Sequence, residues 1–211
     1  VSNSKTNAGK IFETCWKNSY GKLPIYYLRL KDAAKWQRGE GSTFTPENPF
    51  DSLQFKSPFI WVLELKSTKG TGVSFNPKKP YEKPENKKTQ VMIKAKQVEE
   101  LMNAVEVHGV IGGFVVNFRE RNTKKKNYPN ITYFIHINDF IKFAEAYDKS
   151  SLSREDCEMI GIEIKSKLLR TNYKYDIDGF SLESPKLYLH RGYINKESLI
   201  QTRDWINELV T

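Results

Sequence analysis

No part of this 211-residue chain approaches the roughly 18 consecutive apolar residues that a membrane-spanning helix needs. The opening Val-Ser-Asn-Ser-Lys-Thr is polar and lacks the apolar core of a secretion signal. Cysteine is scarce: Cys15 and Cys157 fall in no metal or redox spacing, which excludes a disulfide framework and makes a reducing cytoplasm the expected compartment. His108, His136 and His190 stand far apart without a His-x₃-His ligand spacing, so each reads as structural, His108 at a helix end. Gly109, Gly112 and Gly113 are not followed by Gly-Lys-Ser/Thr, so they form no phosphate loop. There is no internal repeat. The expectation is a cytoplasmic protein without a membrane association.

What is present is aromatic and basic. Phe, Tyr and Trp make up 13% of the chain, too much for a disordered segment. The length suits one domain, or one domain with an extension. A net charge of +9 favours a polyanionic partner, because each Lys or Arg set on a phosphate releases condensed counterions. A merely soluble basic protein is the bland alternative.

Periodicity predicts a helix over 8–18, capped by Asn7, with Ile11, Phe12, Cys15 and Trp16 on one stripe. A strand is expected at 25–30, then an excursion from 31 to 50 without a clean period. Residues 52–55 and 59–66 read as a hairpin about Lys56-Ser57-Pro58, with 73–75 extending the sheet. A Pro- and Lys-rich loop follows at 76–89, then a helix at 94–107 ended by His108-Gly109. Strands at 110–118 and 131–137 flank a basic loop, and a short helix occupies 139–147. Beyond 150 the pattern gives a helical start near Arg154, a strand at 162–165 and a closing helix near 196–209. The order is mixed α/β, with a core over 1–149 and an α+β extension over 150–211 packed on it.

The sharpest pattern is Pro49-Phe50-Asp51, twelve intervening residues, then Glu64-Leu65-Lys66. Two carboxylates that share a divalent cation, with a lysine two residues past the second, are the minimal apparatus of a large nuclease class. The cation acts as a Lewis acid on the scissile phosphate, and the lysine orients water or steadies the developing charge. Carboxylates are hard oxygen ligands suited to Mg²⁺. In a strand, residues two apart share a face, so Ile60, Val62, Glu64, Lys66 and Thr68 point one way. Phe59, Trp61, Leu63 and Leu65 point the other way, so the strand is covered on both sides and turns charged only at its exit. Hairpin pairing brings Asp51 beside Glu64. Two further Glu-x-Lys triplets are weaker: Glu85 to Lys87 has no strand to hold it, and Glu163 to Lys165 alternates cleanly with Ile, so its charges face water. An ion pair at a strand end, with Asp51 an ordinary turn residue, is the competing reading of Asp51, Glu64 and Lys66.

Gly9-Lys10-Ile11-Phe12-Glu13, Tyr27-Leu28-Arg29-Leu30-Lys31-Asp32, Pro49-Phe50-Asp51, Leu63-Glu64-Leu65-Lys66-Ser67-Thr68 and Lys96-Gln97 occur in the order seen in RecU-like Holliday-junction resolvases of Gram-positive bacteria and their phages. The chain resembles that family over roughly residues 7 to 145. The resemblance implies a restriction-endonuclease-like, PD-(D/E)xK fold: a mixed β-sheet flanked by helices. It also implies a homodimer, dependence on Mg²⁺ (Mn²⁺ as the alternative), and symmetric nicking of four-way DNA junctions. Under it Asp51 and Glu64 are the metal ligands, Lys66 the catalytic lysine and Thr68 the hydroxyl closing the motif. Glu13 supports the metal or its waters, and Gln97 binds water or phosphate. The excursion at 31–50 takes the place of the family's stalk. Lys31, Lys35, Trp36 and Arg38 are its expected DNA contacts, beside Lys10, Arg29, Thr68, Lys94 and Lys96.

Blander readings stand beside these. Glu13 and Gln97 alone would be solvated helix residues, and Lys124, Lys125 and Lys126 a solvated loop tip. Tyr173, Tyr175, Tyr188 and Tyr193 can stack on bases, but tyrosines on a strand surface are the commoner case. The alternatives to a resolvase are a restriction- or repair-type nuclease of the same fold, a non-catalytic DNA-binding homologue, and a general phosphate-binding protein.

Overall fold

Apolar residues three and four apart bury one stripe of helix α1 (Ala8–Tyr20), where Phe12, Cys15, Trp16 and Tyr20 are all buried. That stripe needs a sheet to pack on, and the computed structural model supplies one. It describes residues 8–30, 36–38, 42–44, 48–86, 89–124, 126–197, 199–200 and 203, with backbone alone at 36–38 and 42–44. After α1 come β1 (Tyr26–Arg29), a small separate hairpin of β2 (Trp36–Arg38) and β3 (Ser42–Phe44), then β4 (Ser52–Lys56) and β5 (Phe59–Thr68). Next are β6 (Gly72–Ser74), α2 (Ala95–Ala104), β7 (Val110–Phe118), and a second small hairpin, β8 (Arg121–Asn122) with β9 (Asn127–Tyr128). The chain continues through β10 (Ile131–His136), α3 (Ile137–Ala146), β11 (Ser151–Ser153) and α4 (Arg154–Ile160). It then adds β12 (Ile162–Glu163), β13 (Ser166–Leu168), β14 (Tyr173–Tyr175) and α5 (Ile177–His190).

The central sheet has the order β1-β4-β5-β7-β10-β12. β5 and β7 are parallel, and the other neighbours are antiparallel. A parallel pair cannot be closed by a tight turn, and α2 lies on the crossover between the two strands. Mixed α/β architecture is therefore as expected from the periodicity. β5 is the central strand that its residues demanded. Trp61, Leu63 and Leu65 join Trp16, Phe180 and Tyr188 in one core, on the side of α1 and α5. Val62 joins Val98, Leu101 and Phe140 in another, on the side of α2 and α3. Each large apolar side chain buried this way contributes about 1.5–3 kcal/mol.

Several expectations change. Residues 72–74 do not extend the central sheet: β6 pairs with β11, Val73 opposite Leu152, and both of those side chains are fully buried. α2 ends at Ala104, short of 107, because Val107 and His108 face solvent, and Gly109 at φ +80° turns the chain into β7. Tyr175 and Tyr188 are core residues rather than surface tyrosines, packed against Trp16 and Phe134 respectively. The region beyond 150 is interleaved with what precedes it. β12 is the sixth strand of the sheet, Gln54 Nε2 donates to Ser181 Oγ (2.7 Å), and Trp61 Nε1 donates to Ser184 Oγ (3.0 Å). The closing helix expected at 196–209 falls largely outside the described residues. Among the described residues, no helix is long and apolar enough to cross a membrane.

His136 caps α3: its Nδ1 accepts Asn138 N–H (3.2 Å), and its ring stacks on Tyr193 at 4.8 Å. Only the neutral imidazole can accept that bond. Burial, with Arg191 and Lys142 adding, pushes its pKa down to about 3. The folded state therefore refuses a proton that the unfolded chain accepts below pH about 6.5, and stability is lost as pH falls from there toward 3. His136→Asn keeps a capping acceptor that does not titrate. In urea titrations, the stability of the native sequence relative to this variant should fall by about 2 kcal/mol between pH 6.5 and pH 5, other groups cancelling in the difference.

Candidate active site

Strand register assembles the site. Ser52 lies opposite Leu63, so continuing the β4–β5 ladder by one residue sets Asp51 opposite Glu64. Two bonds fix this: Asp51 N–H donates to Leu63 O (3.2 Å), and Asp51 Oδ2 accepts Leu65 N–H (2.7 Å). Glu64 shares a β5 face with Val62 and Lys66, on the α2 side of the sheet, and is 3% exposed. Lys66 Nζ lies 2.9 Å from Glu64 Oε1 and donates to Gln97 Oε1 at 2.9 Å. Gln97, in the first turn of α2, donates from Nε2 to Glu64 Oε1 and accepts Lys94 N–H at its Oε1 (3.0 Å). The amide of Gln97 is thus oriented at both ends, oxygen toward two donors and nitrogen toward the carboxylate.

Electrostatics make the pair of acids unusual. Burial pushes the Glu64 carboxyl up to about 7 against the pull of Lys66, and the Asp51 carboxylate raises it further as a like charge and hydrogen-bond partner. Two facing carboxylates with one ammonium, itself bonded to Glu64 and Gln97, are under-neutralised. A divalent cation would turn their mutual repulsion into shared attraction, so the donor set fits a hard, oxygen-seeking ion such as Mg²⁺. Among the described residues, no group of three or more His, Cys, Asp or Glu converges to hold an ion. The protein's own contribution would be Asp51 and Glu64, an economy that suits Mg²⁺, which keeps several waters. The clefts of about 580 Å³, one lined by Lys22, Lys165 and Lys174 and one along 74–90, do not include this cluster.

The other expected residues are placed as follows. Glu13 pairs with Arg29 at 2.5 Å, on the α1 side of the sheet and so across it from Glu64. Tyr27, two residues before Arg29 on β1, is stacked on Tyr20 at 4.1 Å. Burial raises its phenol, Arg29 lowers it, and Asp51 and Glu13 both raise it again. Its spacing of two from Arg29 puts both side chains on one face of β1. Thr68 closes β5, its Oγ1 accepting Gly70 N–H (2.9 Å), which is a turn-forming role. Lys10 is exposed on α1, and Lys94 and Lys96 are exposed at the start of α2. Lys31 and Lys35 lie outside the described residues, as do the side chains of Trp36 and Arg38. Glu163 and Lys165 are exposed, as their alternation with Ile required. Structure therefore brings together Asp51, Glu64, Lys66 and Gln97, with Glu13 and Arg29 on the far face.

No protein-family model matches the chain. The SPbeta prophage-derived uncharacterized protein YotM of Bacillus subtilis (strain 168) is 29% identical to it over 181 residues, covering 80% of this chain and 82% of that protein.

Proposed function

We propose that this chain is a divalent-metal-dependent DNA endonuclease that nicks four-way junctions symmetrically as a homodimer. The observation that carries the reading is the meeting of Asp51 and Glu64 across the β4–β5 ladder, with Lys66 and Gln97 bonded to Glu64. The topology supports it too. A helix, a three-stranded antiparallel run β1-β4-β5, a crossover helix and a parallel strand are what a restriction-endonuclease-like core requires.

In this reading Asp51 and Glu64 hold Mg²⁺ (Mn²⁺ as the alternative), which when bound supplies Lewis acidity at the scissile phosphate. Lys66 places an ammonium beside that phosphate, where it steadies charge that grows on the non-bridging oxygens as water attacks. Gln97 keeps the ammonium on this side of the sheet by accepting one of its protons, and shields the buried Glu64 oxygen by donating to it. The N-terminus of α2, which carries Gln97, adds the positive end of a helix dipole. Two such sites related by a two-fold axis cut two strands of like polarity, as symmetric resolution needs.

The test uses a synthetic four-way junction, linear duplex and single strand, each with and without Mg²⁺. Paired nicks near the crossover are expected, cation-dependent and reduced about 10²-fold in Lys66→Ala with junction affinity retained. Equal cutting of plain duplex would move the assignment to a restriction- or repair-type enzyme. Junction binding without cleavage in either Mg²⁺ or Mn²⁺ would sink the enzymatic reading.

A further inference from the structure

At the same end of the sheet as the Glu64 cluster, the chain between β7 and β10 carries five basic residues and one acid over positions 119–128. Its base is tied to the catalytic strand, since Arg119 N–H donates to Thr68 O (2.9 Å). Its tip is closed by three hydrogen bonds between Thr123 and Lys126: Thr123 N–H and its hydroxyl both donate to Lys126 O, and the hydroxyl accepts Lys126 N–H. Arg121 pairs with Tyr128 and Asn122 with Asn127, so the segment is a β8–β9 hairpin whose described tip residues, Lys124 and Lys126, are exposed as expected.

Cations lie over single rings elsewhere too, but among the described residues only the Tyr128 ring gathers three. Lys56, Lys149 and Arg191 each meet a carboxylate, which cancels their charge. Arg121, Lys126 and Arg154 instead gather on one aromatic ring, at 4.7, 5.1 and 5.5 Å from the centroid of Tyr128. Arg154 also lies over Phe118 at 5.4 Å. Among the described residues none of the three forms an ion pair with a carboxylate. A ring face fixes the direction of a cation yet leaves its net charge and its N–H donors for another partner. Arg121 and Arg154 repel each other across the ring, a cost that a bound anion would remove.

We infer that the β8–β9 hairpin, with Arg154, is a cationic ridge that grips the phosphate backbone of one duplex DNA arm beside the scissile bond. Its placement relative to that bond rests on the endonuclease reading; its affinity for phosphate does not. Strand geometry sets the distance. Lys66 to Thr68 spans about 7 Å, and three or four further residues add about 10–13 Å. At about 3.4 Å per nucleotide step along a strand, the ridge meets phosphates roughly two to six steps from the cut. The duplex is the ligand that offers a row of anions at this spacing.

The measurement is fluorescence anisotropy of a labelled four-way junction and of a linear duplex, in Ca²⁺ without Mg²⁺, between about 50 and 200 mM salt. Arg121→Gln with Lys126→Gln should weaken binding about tenfold or more at the lower salt, and reduce the slope of log K against log [salt] by about 2. The charge-preserving pair Arg121→Lys with Lys126→Arg should keep the native slope, which separates lost charge from a disturbed hairpin. Loss of slope in both pairs would assign the effect to folding and overturn the ridge. A native slope in the Gln pair would also overturn it, leaving the endonuclease reading intact. Failure of the unaltered protein to bind either DNA would overturn both.

Discussion

Glu64→Gln should abolish cleavage and raise stability in the same molecule. The carboxylate is nearly fully buried, it faces Asp51, and its neutralisation by Lys66 is incomplete, which is why its pKa sits near 7 rather than near the model-peptide range. A raised folded-state pKa means stability that is complete below pH about 4.5 and lost as pH rises through about 7. At pH 8 the protein carries that whole loss, and a neutral amide of the same shape does not. Allowing for the weakened bond to Lys66, the gain is about 1–3 kcal/mol at pH 8 in EDTA, shrinking toward zero near pH 4.5. Activity goes the other way. Removing one of two cation ligands forfeits several kcal/mol of charge stabilisation, about three orders of magnitude in rate. Urea midpoints at the two pH values and junction cleavage in Mg²⁺ are the readouts. A variant as active as the native protein, or less stable at pH 8, would refute the assignment of Glu64.

Gly113→Ala should cost about 3–4 kcal/mol and lower Tm by about 10 °C. A Cβ at this position would stand 2.1 Å from Ile135 O and 3.0 Å from His136 Cα, both backbone atoms of the neighbouring strand. No rotamer relieves that contact, so β10 must move off β7, taking the α3 cap with it. Gly112→Ala is the natural control. Its Cβ would meet Val105 Cγ1 at 2.7 Å, the end of a side chain that can turn away, and about 1 kcal/mol is expected. Differential scanning calorimetry of the two variants should separate them clearly; equal Tm values would mean that the β7–β10 spacing is slack.

Much of the site was legible because a strand forces its residues onto two faces. Alternation alone put Glu64 and Lys66 together, and the short turn after Lys56 left one register that sets Asp51 beside them. Gln97 was legible only through resemblance, since nothing in a helix period tells a capping amide from a solvated one. Glu13 shows the limit of that route: it lies near the same end, but across the sheet and paired with Arg29. Long-range pairing was hidden altogether. Val73 finds Leu152 across most of a domain's length of chain, and no local pattern marks either as the other's partner. Helix α5 was missed because Pro185 interrupts it, and proline inside a helix normally argues against one. Here Ser181 and Ser184 bond back to Ile177 O and Phe180 O and spend their hydroxyls on Gln54 and Trp61, so tertiary contacts outweigh the defect.

Trp61 and Glu64 belong to one ten-residue strand, yet they answer to opposite halves of the polypeptide. The indole is anchored by Ser184 of α5, whereas the acid is set by Asp51 and by Gln97 of α2, which stand far earlier in the chain. A chain shortened to about position 150 would therefore keep the residues that pair Asp51 with Glu64, while Trp61 would lose Ser184 and its core would lose Phe180 and Tyr188.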